Sequence, residues 1–160
     1  MATISALLVG GAPAAQAAAA RETIGVFKGW GAFRDTIPPR CYAIARPVMA
    51  GGRTGGAASV ATWPGRNLVS SADIELSRAR DPSAPVTATI GERRFALVGR
   101  GTHAFAADAP SDRALVAAIR SGRSMSVETV GDNGRPFADV YALAGAATAI
   151  DAAALACAGR

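Results

Sequence analysis

The sequence predicts a mainly β domain, an immunoglobulin-like β-sandwich or partly open barrel with one or two short helices. Three observations carry that expectation. Glycine and proline interrupt the chain at short intervals, and the runs between them are enriched in Val, Ile, Thr, Phe and Tyr, the composition of strands bounded by turns. One segment, 112–120, switches to a helical period. The regular alternation of strand and helix that builds a parallel sheet is absent.

Taken in order, a first strand is expected over 23–30, where Ile24, Val26 and Lys28 share a face by the period of two. Residues 35–39 read as a turn, because Pro38 and Pro39 offer no N–H to a ladder. The strand 40–45 places Cys41, Ala43 and Ala45 on one face and Tyr42 and Ile44 on the other. Residues 50–58, with four glycines, read as a loop, and short strands follow over 59–63 and 73–77. Val86, Ala88 and Ile90 line one side of a strand whose hairpin partner carries Phe95 and Leu97. A shorter strand is expected over 103–106.

In the helix 112–120, Leu115, Val116 and Ile119 form the apolar stripe, Ser111 is the expected N-cap and Gly122 the left-handed C-terminal residue. Strands 125–130 and 137–143 are joined through Asp132, Asn133 and Gly134, and Asn-Gly tolerates the positive φ of a tight hairpin. Residues 146–157 read as either a short closing helix that presents Cys157 to the sheet or a loose turn.

A chain of 160 residues is about one domain in size. Residues 1–17 stand apart as a leader. An apolar run at Ile4, Leu7, Leu8 and Val9 precedes small residues Ala15 and Ala17, the pattern of a secretory processing site, with the domain occupying 18–160. No basic residue precedes Ile4, so a disordered alanine-rich tail is the alternative reading of the same residues. Export to the periplasm or beyond is the expected localisation. No later run is long and apolar enough for a spanning helix, and no cysteine marks a lipid-anchored junction.

The two cysteines, Cys41 and Cys157, have no metal-ligand spacing, and His103 is the single histidine. No metal site or cofactor is expected. In an oxidising compartment the pair's fate is a disulfide; in the cytosol it would be two buried thiols. The formal net charge is +5, which favours contact with acidic surfaces without choosing among lipid, nucleic acid and protein. Arg53, Arg66 and Arg135 sit in Gly- or Pro-rich contexts and are the candidate contacts to an anion or partner.

Catalytic arrangements are weak. His103 with Asp108 is the site of an alternative reading as a small periplasmic hydrolase or carbohydrate-acting enzyme. Ser70, Ser71 and Ser111 carry no nucleophile motif, and Asp73 with Glu75 reads as a solvated strand face. Trp30, Phe33, Tyr42 and Trp63 are either a binding shelf or core.

The stretch 30–33, Cys41-Tyr42-Ala43 with Pro47, Gly52-Arg53, the segment from Phe95 to Asp108, 115–122, 125–127, 139–145 and Cys157 together resemble the invasion-associated locus B family of exported α-proteobacterial proteins. The resemblance implies a periplasmic or envelope-associated β-sandwich-like domain with Cys41 and Cys157 bonded to each other, and no catalytic residues. Relatives carry Ala-Trp-Ala where this chain has Ala104-Phe105-Ala106. Their Ser-Arg-Gly hairpin segment is here Asp132-Asn133-Gly134-Arg135, a different tip for a partner to meet. The expected function is that of a non-enzymatic exported envelope protein, a binding module for an unidentified envelope protein or anionic surface component. Nucleic acid is a third, less favoured partner, because the arginines form no continuous track.

Overall fold

The computed structural model describes residues 20–51, 55–66 and 68–158. The predicted leader and Arg53 lie outside them. Ten antiparallel strands form one sheet: β1 (Arg21–Phe27), β2 (Trp30–Thr36), β3 (Pro39–Ala45), β4 (Ala57–Trp63), β5 (Leu68–Glu75), β6 (Val86–Ile90), β7 (Arg93–Arg100), β8 (His103–Ala106), β9 (Ser124–Val130) and β10 (Pro136–Ala142). Two helices join them, α1 (Ala109–Ser121) and α2 (Ala146–Cys157), with a 3-10 turn at Pro64–Arg66. The sheet order is β1-β2-β3-β4-β5-β8-β7-β6-β9-β10.

The mainly β expectation holds, with the strands in a single open sheet rather than two stacked ones. That sheet curls. Residues 48–49, just beyond β3, pair with the outer edge of β10, where Val48 N–H donates to Val140 O and Val140 N–H to Met49 O, each at 2.7 Å. The Trp30 indole N–H on β2 also reaches Ala142 O of β10, at 2.9 Å. Contacts between the two ends of the strand order require the sheet to bend back on itself, and they cover the β10 edge.

Four expectations are corrected. The first strand ends at Phe27; Lys28 and Gly29 turn the chain, and a separate strand, β2, runs from Trp30 to Thr36. Gly25, Gly29 and Gly31 thin out the side-chain pattern there, so the pairing of β2 between two partners is what makes it a strand. The segment 73–77 belongs to a longer strand that begins at Leu68, and Ser77 beyond it is buried. Helix α1 begins one turn earlier than expected. Its N-cap is Asp108, whose side chain accepts from Ser111 N–H, and proline occupies the first turn, where no N–H is missed. Gly122 is extended, at φ −79° and ψ 169°, so it ends the helix without a left-handed residue.

Other elements form where their patterns place them. β6 buries Val86, Ala88 and Ile90, and β6 with β7 and β9 with β10 are the predicted hairpins. At Gly134 φ is +73°, as the tight turn demands. Residues 146–157 are helical. Gly145 starts that helix at φ +91°, with Phe27 O only 2.0 Å from where a Cβ would stand, so no other residue fits.

The core lies inside the curl. Trp30, Ala32, Cys41, Ala43 and Val60 from β2–β4 meet Ala149, Ile150 and Ala153 of α2, while Leu115 and Ile119 of α1 join Met125, Val127 and Tyr141. The alanines of α2 let the helix axis approach the sheet closely. At the seam Asp139 is fully buried. It accepts from Gly51 N–H at 2.8 Å, from Ser77 N–H at 2.8 Å and from the Ser77 hydroxyl, tying β10 to two other segments. Burial, with Asp139 and Glu75 nearby, pushes the Tyr141 phenol up.

Candidate binding surface

Strands alternate their side chains between faces, so the face of β2–β4 turned away from α2 carries a second set of residues. On β2 these are Phe33 and Asp35, on β3 Arg40 and Tyr42, and on β4 Ser59, Ala61 and Trp63. The register sets them side by side: Phe33 opposes Tyr42 and Asp35 opposes Arg40. Arg21 reaches the same face from β1, opposite Asp35.

The result is a row of guanidinium groups laid over aromatic rings. Arg21 lies 5.9 Å from the Phe33 centroid and 5.6 Å from that of Tyr42. Arg40 lies 4.5 Å from Tyr42 and 5.2 Å from Trp63, and Arg66 lies 4.9 Å from Trp63. Phe33 and Tyr42 are themselves 5.7 Å apart, centroid to centroid. Stacking holds each planar fork against a rigid surface, which lowers the entropy lost when it binds a carboxylate or phosphate.

Asp35 is the fixed counter-charge of this row. It accepts from Arg21 Nε at 3.0 Å and from Arg40 Nε at 2.8 Å. Burial alone would push its carboxyl up, but hydrogen bonds from Arg21 and Arg40 outweigh that, and it lies below the ordinary carboxylate value. The same pairing holds the Arg21 guanidinium further up. Burial, with the Asp35 charge beside it, pushes the Tyr42 phenol up. Arg66 differs from the other two: among the described residues no carboxylate pairs with it.

Two hollows extend the row. A groove of about 450 Å³ runs from Arg40, Trp63 and Arg66 across β5 to the start of α1. A broader one of about 750 Å³ opens on the other side, by Phe33, Ile44, Arg46 and Glu75.

Of the predicted contacts, Arg66 belongs to this surface. Arg135 is exposed in the β9–β10 turn, a different loop from the β4–β5 turn that carries Arg66, and it does not line the groove beside Arg66. No hydrogen bond joins His103 to Asp108 among the described residues. His103 Nδ1 faces Asp73 Oδ2 at 2.9 Å, and Asp108 caps α1 through Ser111 N–H. The four aromatics divide by face: Trp30 is in the inner core, whereas Phe33, Tyr42 and Trp63 share the opposite face, where Tyr42 is itself buried beneath Arg21 and Arg40. Arg21 and Arg40 were not singled out from the sequence. Their signal was there in part, since Arg40 and Tyr42 alternate with the inward Cys41.

Cys157, in the last turn of α2, lies over β3, where its sulfur is 1.99 Å from that of Cys41 and the Cα atoms are 5.9 Å apart, disulfide geometry. Among the described residues no helix is long and apolar enough to cross a membrane, and no cluster of metal-ligating side chains occurs.

These features define a mainly β domain: one curled antiparallel sheet, two helices packed on it, and an arginine–aromatic row on the opposite face. Among solved structures it is similar to the crystal structure of invasion associated protein B from Bartonella henselae, with a TM-score of 0.59 and 19% identity, covering 81% of this chain and 94% of that one. The resemblance read from the residues is thus met at the level of the fold. No protein-family model matches the chain, and no curated protein does.

Proposed function

We propose that this chain is an exported, non-enzymatic module of the bacterial envelope that holds an acidic partner surface on its arginine–aromatic row. The observation that carries the reading is the ordered set of guanidinium groups over Phe33, Tyr42 and Trp63, ending in an arginine with no carboxylate partner among the described residues. Arg66 is the anchor in this reading, Arg135 is a further contact in the β9–β10 turn, and Arg53, outside the described residues, is kept as a candidate contact. A periplasmic location suits a cysteine pair at disulfide distance. The similar fold of invasion associated protein B from Bartonella henselae suits a role at the cell surface.

The test is binding of the purified chain to isolated envelope material at several salt concentrations. Replacing Arg66 with serine is expected to weaken binding about tenfold, the loss of a hydrogen-bonded charge contact. Serine at Arg53 or Arg135 is expected to have smaller effects. Unchanged binding by the Arg53, Arg66 and Arg135 triple variant would overturn the reading.

A further inference from the structure

The smaller groove carries opposite charges on its two sides. Arg66 rises from the turn after β4 on one side, with Arg40, whose guanidinium is already paired with Asp35, also lining the groove, and Asp73 on β5 with Asp108 and Asp112 at the start of α1 lies on the other. Small side chains, Ala61 and Ala109 among them, line it between, while the Ala72 methyl is buried in the core. Its volume of about 450 Å³ falls at the small end of ligand sites, which run from about 300 to 1,000 Å³. That suits a chain end better than a long segment.

Each aspartate is held by at least one hydrogen bond. Asp112 Oδ1 accepts from Ala72 N–H at 3.0 Å, Asp108 Oδ1 from Ser111 N–H at 2.8 Å, and Asp73 Oδ2 faces His103 Nδ1 at 2.9 Å. The Ser111 N–H also holds the Asp108 carboxyl below its ordinary value, so it stays ionised at neutral pH. The second oxygens of Asp73 and Asp112 have no hydrogen-bond partner among the described residues, which leaves lone pairs on that side, and the Ser111 hydroxyl also lies against the Asp108 carboxylate. Across the groove, the Arg66 guanidinium is held over the Trp63 ring.

A plain anion would meet Arg66 but be repelled by three carboxylates. A plain cation would meet the carboxylates and leave Arg66 unmatched. The surface complements a molecule that carries an ammonium and a carboxylate at opposite ends of an apolar stem.

We propose that this groove takes the carboxy-terminal lysine of a partner polypeptide, with the α-carboxylate on Arg66, the ε-ammonium at Asp108 and Asp112, and the methylenes over the alanines. The proposal rests on the reading of the arginine row as a partner-binding surface and names the chemistry of the partner's end. It predicts that two separate charges on one residue are both needed.

Calorimetric titration with three short peptides tests it: one ending in a free lysine, the same peptide amidated at its end, and one with norleucine in place of the lysine. Loss of either charge is expected to weaken binding about tenfold. 6-Aminohexanoate should compete with the lysine peptide, and hexanoate and hexylamine should not. In Arg66→Ser the amidated and free-acid peptides become equivalent while the preference for lysine over norleucine persists. In Asp112→Asn the pattern reverses. Asp108→Asn, which keeps the capping oxygen, provides a second charge-removing variant should Asp112→Asn fail to fold. Equal binding of all three peptides, or none, would overturn the proposal. If Arg66→Ser still weakened envelope binding in that case, the broader reading would stand without it; peptide binding alongside unaltered envelope binding would show the converse.

Discussion

Reducing the Cys41–Cys157 pair should cost this domain a large part of its stability while leaving its fold in place. The two residues are 116 apart in sequence. In the chain-entropy treatment, closing a loop of that length removes denatured-state entropy equivalent to about 5 kcal/mol at 25 °C. For a domain of this size each kcal/mol moves the melting temperature by about 2–4 °C, so reduction should lower it by about 10–20 °C. The native side changes little, because α2 is docked on the sheet by Ala146, Ala149, Ile150 and Ala153 irrespective of the bond.

Urea unfolding of the oxidised and the reduced wild-type chain measures the effect directly, and the reduced chain keeps both sulfur atoms in the packing. A Cys41→Ala/Cys157→Ala variant should lose somewhat more, since Cys41 is fully buried and truncation leaves a small void there. Far-ultraviolet circular dichroism at 25 °C should be unchanged by reduction. A difference below about 1 kcal/mol between oxidised and reduced chains would refute the entropic reasoning, since native strain or residual denatured structure would then cancel it.

Asp139→Asn should destabilise the domain by about 1–3 kcal/mol, because an amide turns one of two buried acceptors into a donor facing N–H groups. The matching readout is faster hydrogen exchange at the Gly51 and Ser77 amides; unaltered exchange and melting would contradict the clasp. Asp35, held below its ordinary value, contributes stability at pH above the unfolded carboxylate value of 3.8, and that contribution is lost as pH falls through the lower folded value. The urea midpoint should therefore fall between about pH 5 and pH 2, and Asp35→Asn should flatten part of that fall. Asp108 and Asp151, lowered by Ser111 and Arg120, act in the same direction and account for part of the remainder.

Much of the fold was legible because side-chain alternation is local. Val86, Ala88 and Ile90, or Cys41, Ala43 and Ala45, reveal a buried face within a few residues of chain. The helix stripe of Leu115, Val116 and Ile119 does the same at its own period. Trp30–Thr36 was not legible as a strand, because Gly31 within it and Gly29 just before it leave the pattern sparse and its identity comes from pairing with β1 and β3. The Ser111 cap was displaced one turn upstream because Asp108 supplies a better-placed carboxylate and Pro110 fits the first turn.

The candidate surface was legible in its parts and not in its assembly. Arg66 and Trp63 lie three residues apart in sequence, whereas Arg21, Phe33 and Tyr42 converge only through strand register. A one-residue slip in β3 would have turned Tyr42 and Arg40 into the core.

The sequence by itself determined the mainly β class, the positions of most strands and helices, the basic charge and the availability of exactly one cysteine pair, because each follows from composition or from a period of a few residues. Only the tertiary structure decided which end of the sheet meets which, that Cys157 lies over β3, and that aromatics similar in sequence context part between core and shelf. Those outcomes depend on contacts between residues tens of positions apart, and no local pattern carries that information.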